Sequence, residues 1–292
     1  MDLTKDNITE LIKKIAIPAS VGTFFQTMYN LVDSKFAGLI SPEALTAIVK
    51  SFPIYLIIIA ASVGISAGTT ALISNTLGQK DTEKASVLFA QSIIVALLIT
   101  FVVTFIGIAS IKDILIILKS NNQIISYATD YMNVIFSGSI VIFLLVTINA
   151  SLVSRGDTKS YRNVLIFSFF LNILLNPLFI YGFYLIPAMG ISGIALATIV
   201  SELIGLIYLI YKINKTEIRE YLSPECFKPK MTLISVILKQ AIPSGLSMGM
   251  VGFGVFILIY LVSSYGDFSA GGYGTGVRFE QLFLLPILGL NT

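Results

Sequence analysis

The chain has 292 residues, of which 55% are hydrophobic and only 12% are charged, and its mean hydropathy is +0.89. Soluble globular domains carry about 25% charged residues, so this composition excludes a soluble protein and predicts an integral membrane protein. The net charge of +3 does not indicate a nucleic-acid binder, because the basic residues separate apolar segments instead of clustering on a polar face. The sequence has no histidine and one cysteine, Cys226, which excludes histidine-based sites and a disulfide framework within this chain.

Long charge-free runs with a helical period predict about eight transmembrane helices, since a bilayer crossing needs about 20 apolar residues. The first apolar segment starts near Leu11, runs too long for a signal peptide and lacks a small-residue cleavage site, so we expect it to stay in the membrane. The fold class is therefore an all-α integral membrane protein, a polytopic helical bundle. We predict helices at residues 11–36, 45–77, 86–111, 125–154, 161–182, 190–212, 233–264 and 272–292.

The distribution of lysine and arginine predicts the orientation of these helices. Fourteen of the 19 basic residues fall on the side of the N-terminus, and four fall on the other side (Lys35, Lys50, Lys112 and Lys119). Because basic residues are enriched on the cytoplasmic side, we expect a cytoplasmic N-terminus in a multi-pass membrane protein.

The first helix carries a polar stripe on an otherwise apolar sequence. Gln26, Tyr29, Asn30 and Asp33 are spaced so that they share one helix face. An acid at membrane depth is costly and marks a functional site by default. Carboxylate, amide and phenol oxygens suit Na⁺, and a carboxylate in a low dielectric also suits proton carriage. We therefore predict a cation-coupling site at Asp33, with Na⁺ as one possible ion.

Lys50 offers a structural alternative for Asp33. The turn between the first two helices lies near Ser41 and Pro42, so Asp33 and Lys50 should lie at similar depth. Lys50 is therefore a candidate ion-pair partner that would neutralise Asp33, and buried pairs of this kind are often structural. Gln26 and Asn30 would not be needed for a simple ion pair, which favours the functional interpretation.

Helices five and six add further polar groups at membrane depth. Asn172 and Asn176 share a face of the fifth helix, followed by Pro177, which frees a backbone carbonyl and can bend the helix. The pair fits either an ion site or an amide contact between helices. Thr198 and Glu202 lie one turn apart in the sixth helix, and Glu202 should face a cavity or form a buried hydrogen bond.

The segment 213–232 is the only long polar stretch and is predicted to be a cytoplasmic linker between two units. Both the first and the seventh helix open with Ala-Ile-Pro, containing Pro18 and Pro243, and six intervening helices give the two copies the same orientation. We expect an N-terminal six-helix lobe at 1–212 and, at 233–292, the first two helices of an incomplete C-terminal lobe.

The eighth helix carries Arg278 and Glu280 near the glycine-rich segment GGYGTG, residues 271–276. This segment lacks the Gly-Lys-Ser/Thr ending of a phosphate loop, so we interpret it as a loosely wound helix start. Glu280 is a candidate cavity residue. Arg278 either faces a cavity or marks a poorly buried start of the helix.

Together these segments give a resemblance to a known family. The sequence resembles the N-terminal two-thirds of a multidrug and toxic compound extrusion (MATE) transporter. The matching segments are AIPASVGTFFQTMYNLVDSKFAG, SPEALTAI, ALISNTLGQKD (71–81), SRGDTKS (154–160), LNILLNPLFIYG and GISGIALAT (190–198).

The resemblance implies two six-helix lobes around a central cavity, related as a parallel repeat. It implies export of cationic or amphipathic compounds by alternating access, with Na⁺ or H⁺ as the coupling ion and no other cofactor. Asp33 matches the coupling acid of the N-terminal lobe, Pro18 the proline where the first helix bends, and Asn172 and Asn176 the polar pair of the fifth helix. Some members have aspartate at the position of Asn176, and Lys50 departs from the family pattern.

We therefore expect a cation-coupled exporter of organic cations that is not an enzyme. Asp33, Asn30, Asn172 and Asn176 are predicted to bind the coupling cation. Substrate or cavity residues are predicted at Gln26, Tyr29, Thr198, Glu202 and Glu280. The expected partners are organic cations, amphipathic drugs and the lipid bilayer, with no nucleic acid, and we expect a monomer. The alternatives are a lipid-linked oligosaccharide flippase of the same superfamily and a non-transporting, receptor-like membrane protein.

Overall fold

The computed structural model describes the backbone of residues 8–289 and the side chains of residues 17–18 and 20–284. Eight long α-helices account for nearly all of this range, and the described residues contain no β-strand apart from one isolated bridge between Phe183 and Ile186. The helices are α1 (Ile8–Ile40), α2 (Pro42–Gly78), α3 (Thr82–Ile117), α4 (Asn122–Val153), α5 (Lys159–Tyr181), α6 (Ile191–Ile213), α7 (Met231–Ser263) and α8 (Asp267–Gly289).

The all-α membrane fold predicted from the sequence is confirmed, and every predicted helix has a counterpart. Six of the described helices, α2 to α7, are long and apolar enough to cross a membrane. The polar residues that mark α1 and α8 keep these two helices out of that set. The predicted end of the last helix at Thr292 lies outside the described residues, as do the first residues of the predicted N-terminal lobe.

Polar side chains at the helix ends explain where the helices start. Ser41 accepts a hydrogen bond from the backbone of Ala44 at the start of α2, and Pro42 follows at the first helical position. Asp81 caps α3 and Asn121 caps α4 in the same way. Gly182 ends α5 at a φ of 76°, a left-handed conformation that a side chain disfavours. These capped ends fix the short turns that hold neighbouring helices together.

The packing order places α4 against α2, α3 and α6, whereas α5 lies between α1 and α6. Isoleucine, leucine and alanine from α2, α4 and α6 form most of the buried core. Helices α7 and α8 pack on the opposite side, α7 along α2 and α8 along α1 and α2. The polar face of α1 is consequently enclosed by α2, α5, α6 and α8, which creates the candidate site.

The linker was predicted at residues 213–232, and the segment between α6 and α7 is 214–230. This segment contains two short 3₁₀ helices, Glu217–Arg219 and Pro224–Phe227, and contacts α3. Gln91 of α3 is fully buried and donates to the carbonyls of Cys226 and Lys228, both at 2.8 Å. Its carbonyl oxygen accepts a bond from the backbone of Lys230, also at 2.8 Å. One side chain therefore anchors the end of this segment.

Candidate functional site

The carboxylate of Asp33 lies inside the bundle between α1, α5 and α6, where its residue is only 4% exposed. The amide nitrogen of Asn176 donates to one carboxylate oxygen at 3.0 Å, and the hydroxyl of Thr198 lies 3.2 Å from the other. The Thr198 hydroxyl also lies 3.1 Å from the carbonyl of Ile194 and has a single hydrogen to share between the two acceptors. Asp33 is therefore held by neutral donors.

Asn172 and Asn176 are both fully buried, and their spacing of one helical turn aligns them beside Asp33. The amide nitrogen of Asn176 donates to the carbonyl oxygen of Asn172 at 2.8 Å. Among the described residues, the side-chain oxygen of Asn176 and the side-chain nitrogen of Asn172 have no hydrogen-bond partner. Buried amide groups are seldom left unpaired, so these atoms need an explanation.

The donor set around Asp33 fits a small hard cation. It offers a carboxylate, the unpaired oxygen of Asn176, the oxygen of Asn172 and the Thr198 hydroxyl, and oxygen donors of this kind suit hard cations. The described residues contain no cluster of three or more Asp, Glu, Cys or His side chains. A single carboxylate with neutral oxygens can equally take a proton.

Asn30 lies next to this group rather than inside it. It lines a small cavity together with Asp33, Ser51, Tyr131 and Thr198. Its side chain is half-buried, and its backbone carbonyl accepts bonds from Ser34 at 2.8 Å and from Arg278 at 3.2 Å. Its assignment as a cation ligand remains a prediction.

Arg278 of α8 reaches the same place from the other side of the cavity and is only 7% exposed. It donates to the Asn30 carbonyl and to the Ser34 hydroxyl, and its guanidinium lies 5.6 Å from the centre of the Phe52 ring. The sequence left open whether Arg278 faces a cavity or marks a poorly buried start of the helix. Its side chain brings a positive charge to the small cavity that Asp33 lines.

A larger cavity of about 230 Å³ lies beside the small cavity that Asp33 lines. The two cavities share the lining residues Asn30, Phe52 and Tyr55. Three of the predicted substrate or cavity residues line the larger cavity: Gln26, which is exposed, Tyr29, which is buried, and Glu202, which is half-buried. Among the described residues, the Tyr29 hydroxyl and one carboxylate oxygen of Glu202 have no hydrogen-bond partner.

The rest of this cavity is aromatic, apolar or neutral. The further lining residues were not predicted from the sequence, because single tyrosines in apolar helices give no signal that separates a cavity from the core. The further lining residues are Leu56, Ile59, Leu145, Tyr161, Val164, Leu165, Ser168, Met248 and Gln281, in addition to Phe52 and Tyr55. The polar stripe of α1 therefore faces two adjacent spaces, one beside Asp33 and one beside Glu202.

The predicted pairing of Asp33 with Lys50 is wrong. The Lys50 ammonium lies 2.5 Å from a carboxylate oxygen of Asp267 and 2.9 Å from the carbonyl of Leu118. The Lys50 side chain points towards α3 and α8 instead of α1, a direction that an expected similar depth in the membrane could not predict. Asp33 is consequently not locked by a lysine.

Glu280 is not brought to the Glu202 cavity. It is exposed and lines a separate space between α2, α7 and α8, together with Tyr273 and Val277. It lies two residues from Arg278, so the two side chains leave α8 in different directions. Pro18 and Pro177 lie inside the uninterrupted helices α1 and α5, and bending at either proline remains a prediction.

Comparison with known proteins identifies the family. A family model described as MatE matches residues 18–178, more than half of the chain. The chain belongs to the MatE family. The match contains Asp33, Asn172 and Asn176, whereas Thr198, Glu202 and Arg278 lie beyond it.

Relatives of this MatE chain include named transporters. It is 28% identical over 99% of its length to the probable multidrug resistance protein NorM of Thermotoga maritima, and covers 63% of that protein. It is 25% identical over 98% of its length to an FAD transporter of Shewanella oneidensis, again covering 63% of the relative. The chain thus spans less than two-thirds of the length of these relatives.

Solved structures agree with the fold. An inward-facing multidrug resistance MATE transporter of the MOP superfamily aligns with a TM-score of 0.83 at 27% identity, over 96% of this chain and 63% of the other. A MOP superfamily transporter from Pyrococcus furiosus, described as having a binding pocket of reverse polarity, aligns with a TM-score of 0.83 at 26% identity, over 98% and 63%. The chain is accordingly a multi-pass helical membrane protein of MatE architecture.

Proposed function

We propose that this protein is a secondary active transporter that exports organic cations and amphipathic compounds in exchange for an inward-moving cation. The observation that carries the proposal is the buried Asp33 carboxylate, which accepts hydrogen bonds from neutral donors, lies beside unpaired amide atoms and lines a small cavity next to the larger one. A carboxylate at membrane depth needs a proton or a cation to offset its cost. Family membership supports the same function.

The coupling cation, Na⁺ or H⁺, is the co-transported ion in this proposal. Asp33 supplies the charge, and the oxygens of Asn172, Asn176 and Thr198 supply neutral ligands, with Asn30 as a neighbouring ligand. Binding changes the charge of the α1 stripe, and bending of α1 near Pro18, aided by Pro177 in α5, transmits the change. No other cofactor is invoked, and no step makes or breaks a covalent bond.

The exported compound occupies the larger cavity. Glu202 offers a carboxylate with an unpaired oxygen, and Tyr29, Tyr55 and Tyr161 offer aromatic faces and hydroxyls around it. An organic cation is stabilised both by a carboxylate and by aromatic faces, and the latter attract it by cation–π interaction. Gln26 lies at the exposed edge of the same cavity and is proposed to contact substrate there.

The proposed setting is a bacterial plasma membrane with the N-terminus in the cytoplasm, as the lysine and arginine distribution favours. Helices α1 to α6 form one lobe, the segment 213–232 links it to α7 and α8, and these two helices begin a second lobe. We propose that the transporter functions as a monomer. The lipid-linked oligosaccharide flippase is the less favoured function, because the cavity presents Glu202 where a pyrophosphate would need basic groups.

Vesicles of the full-length gene product test this function. A fluorescent organic cation is followed while a Na⁺ gradient and a pH gradient are imposed separately. Accumulation driven by either gradient, and abolished by dissipating it, supports the proposal and identifies the ion. Dye movement that ignores both gradients contradicts it.

A further inference from the structure

The ion pair of Lys50 with Asp267, whose side chain is 18% exposed, has no role in the cation site or in the cavity. Lys50 is fully buried, and its ammonium contacts Asp267 at 2.5 Å, the Leu118 carbonyl at 2.9 Å and the Lys119 carbonyl at 3.5 Å. Three acceptors match the three donors of an ammonium group. The pair joins residues that are 217 positions apart in the chain.

The pair also uses the ends of two helices. Leu118 follows the last residue of α3, where free carbonyls carry partial negative charge, and Asp267 begins α8, where free amides carry partial positive charge. The lysine therefore faces the negative end of one helix and the aspartate belongs to the positive end of another. Both charges are stabilised where they lie.

A second contact lies beside the first. The Lys119 ammonium donates to the hydroxyl of Ser264 at 2.9 Å and lies 5.0 Å from the centre of the Tyr260 ring. Val49, Leu118 and Ile259 form a small apolar cluster at the same level, separate from the main core. Polar and apolar contacts thus join the ends of α2 and α3 to the ends of α7 and α8.

The glycine-rich segment of α8 explains how these helices approach so closely. A Cβ atom on Gly271 would lie 2.5 Å from the hydroxyl oxygen of Thr46, and one on Gly274 would overlap the Val49 side chain. Through Gly271 and Gly274, residues 271–276 therefore pack on α2. This corrects their interpretation as a loosely wound helix start, since α8 begins at Asp267.

We propose that these contacts form a gate, which we call the outer clasp: Lys50, Leu118, Lys119, Ser264 and Asp267. It closes one end of the cavity and opens once per transport cycle. The inference rests on the proposed function, since only alternating access requires such a gate. The clasp joins the helices that precede the segment 214–230 to those that follow it, at the membrane face opposite that segment. The cavity is lined by residues near the start of α5, and this end of α5 lies at the same membrane face as the segment 214–230.

Its chemistry suits a gate better than a permanent joint. Burying charged groups costs desolvation free energy that their ion pair offsets poorly. Apolar residues of similar size often stabilise a protein as well or better. When the helix ends separate, water solvates both charges, whereas an apolar joint would expose hydrocarbon. The ion pair therefore gives a closed state that can open at a small cost in free energy.

Thiol labelling tests whether the clasp closes the cavity. Cys226 is replaced by serine, and Ile59→Cys places one thiol in the cavity wall. Lys50→Ala with Asp267→Ala removes both charges and the contact between them, so that neither charge is left alone and no apolar joint replaces the pair. We expect an impermeant maleimide added to the clasp face to label the double variant at least fivefold faster than the protein with the clasp intact.

The control is the exposed pair Glu225 and Lys228, changed together to glutamine, which should leave the labelling rate unchanged. Equal rates with and without the clasp would overturn the proposal.

A covalent lock tests whether the clasp must open, and it does not depend on tolerance of the charge removal. The Cβ positions of Thr46 and Gly271 lie 3.4 Å apart, close to disulfide geometry. Oxidised Thr46→Cys/Gly271→Cys, in the same background, should lose at least 90% of gradient-driven dye transport and recover it on reduction. Full transport by the oxidised form would refute a gate. If the parent shows no transport, the proposed function fails, and the labelling result still decides whether the clasp closes the cavity.

Discussion

Glu202 carries an unpaired carboxylate oxygen towards the larger cavity, so its charge is available to a bound organic cation. We predict that Glu202→Gln weakens binding of a cationic dye by about tenfold, the order expected for losing one charge-assisted contact. Binding is measured by equilibrium fluorescence with purified protein. A neutral dye of the same shape should bind as before.

The control for this prediction is Glu220→Gln, which removes an exposed carboxylate of the linker segment. It should leave dye binding unchanged. If Glu202→Gln also binds the cationic dye with parental affinity, the positive charge of the substrate is held elsewhere in the protein.

Helical spacing predicted the side chains on one face but not the direction of that face. It was sufficient to select Asp33 and Thr198, which line the small cavity, and Glu202, which lines the larger one. It also selected Asn172 and Asn176, which lie beside Asp33. It failed for Lys50, because equal depth in the membrane does not fix the rotation of α2. The cavity role of Arg278 could not be decided, since its partners on α1 are about 250 positions away in the chain.

At the scale of helices, α2 and α7 cross with almost no space between their backbones. A Cβ atom on Gly64 would lie 2.6 Å from the carbonyl oxygen of Ala241. We predict that Gly64→Ala forces the helices apart and lowers stability by about 1–3 kcal/mol, the usual cost of overpacking. Thermal unfolding in detergent measures the change.

Gly254 provides a matched control on α7, because a Cβ atom there would meet no other atom within 4 Å. Gly254→Ala should be neutral or slightly stabilising, since alanine favours helix over glycine. Equal melting temperatures for Gly64→Ala and the parent protein would contradict the close crossing.

The segment after α6 depends on Gln91 of α3. We predict that Gln91→Leu releases it, because three backbone groups lose their buried partner and each such bond contributes about 1 kcal/mol. Cys226, which is 6% exposed, should then react with a maleimide at least about tenfold faster. The exposed Gln79→Leu is the control, and an unchanged Cys226 rate in Gln91→Leu would contradict the anchor.

Apolar periodicity predicted all eight helices but placed most of their ends too far inside. The predicted starts lie after polar caps such as Asp81 and Asn121, because hydropathy falls at the membrane surface while the helix continues. The anchoring role of Gln91 gave no signal in the sequence. A glutamine near the end of an apolar helix predicts an interface residue but not its partner.

At the scale of the whole molecule, the sequence predicted the membrane class from composition and the architecture from resemblance. The parallel repeat of Ala-Ile-Pro in α1 and α7 suggested how the two units relate, and the packing of α7 and α8 against α2 and α1 is compatible with it. Physical reasoning alone could not predict the packing order of the helices, since every apolar helix offers several equivalent faces in a bilayer.

The central claim is that Asp33 couples cation entry to export, and one comparison tests it directly. Parent and Asp33→Asn proteins are reconstituted in equal amounts, and accumulation of a cationic dye is measured under the gradient that drives the parent. We predict that Asp33→Asn loses at least about 90% of gradient-driven accumulation while its dye affinity stays within about threefold, because the substitution removes the charge but keeps the volume. Accumulation by Asp33→Asn at the parental rate would contradict the account.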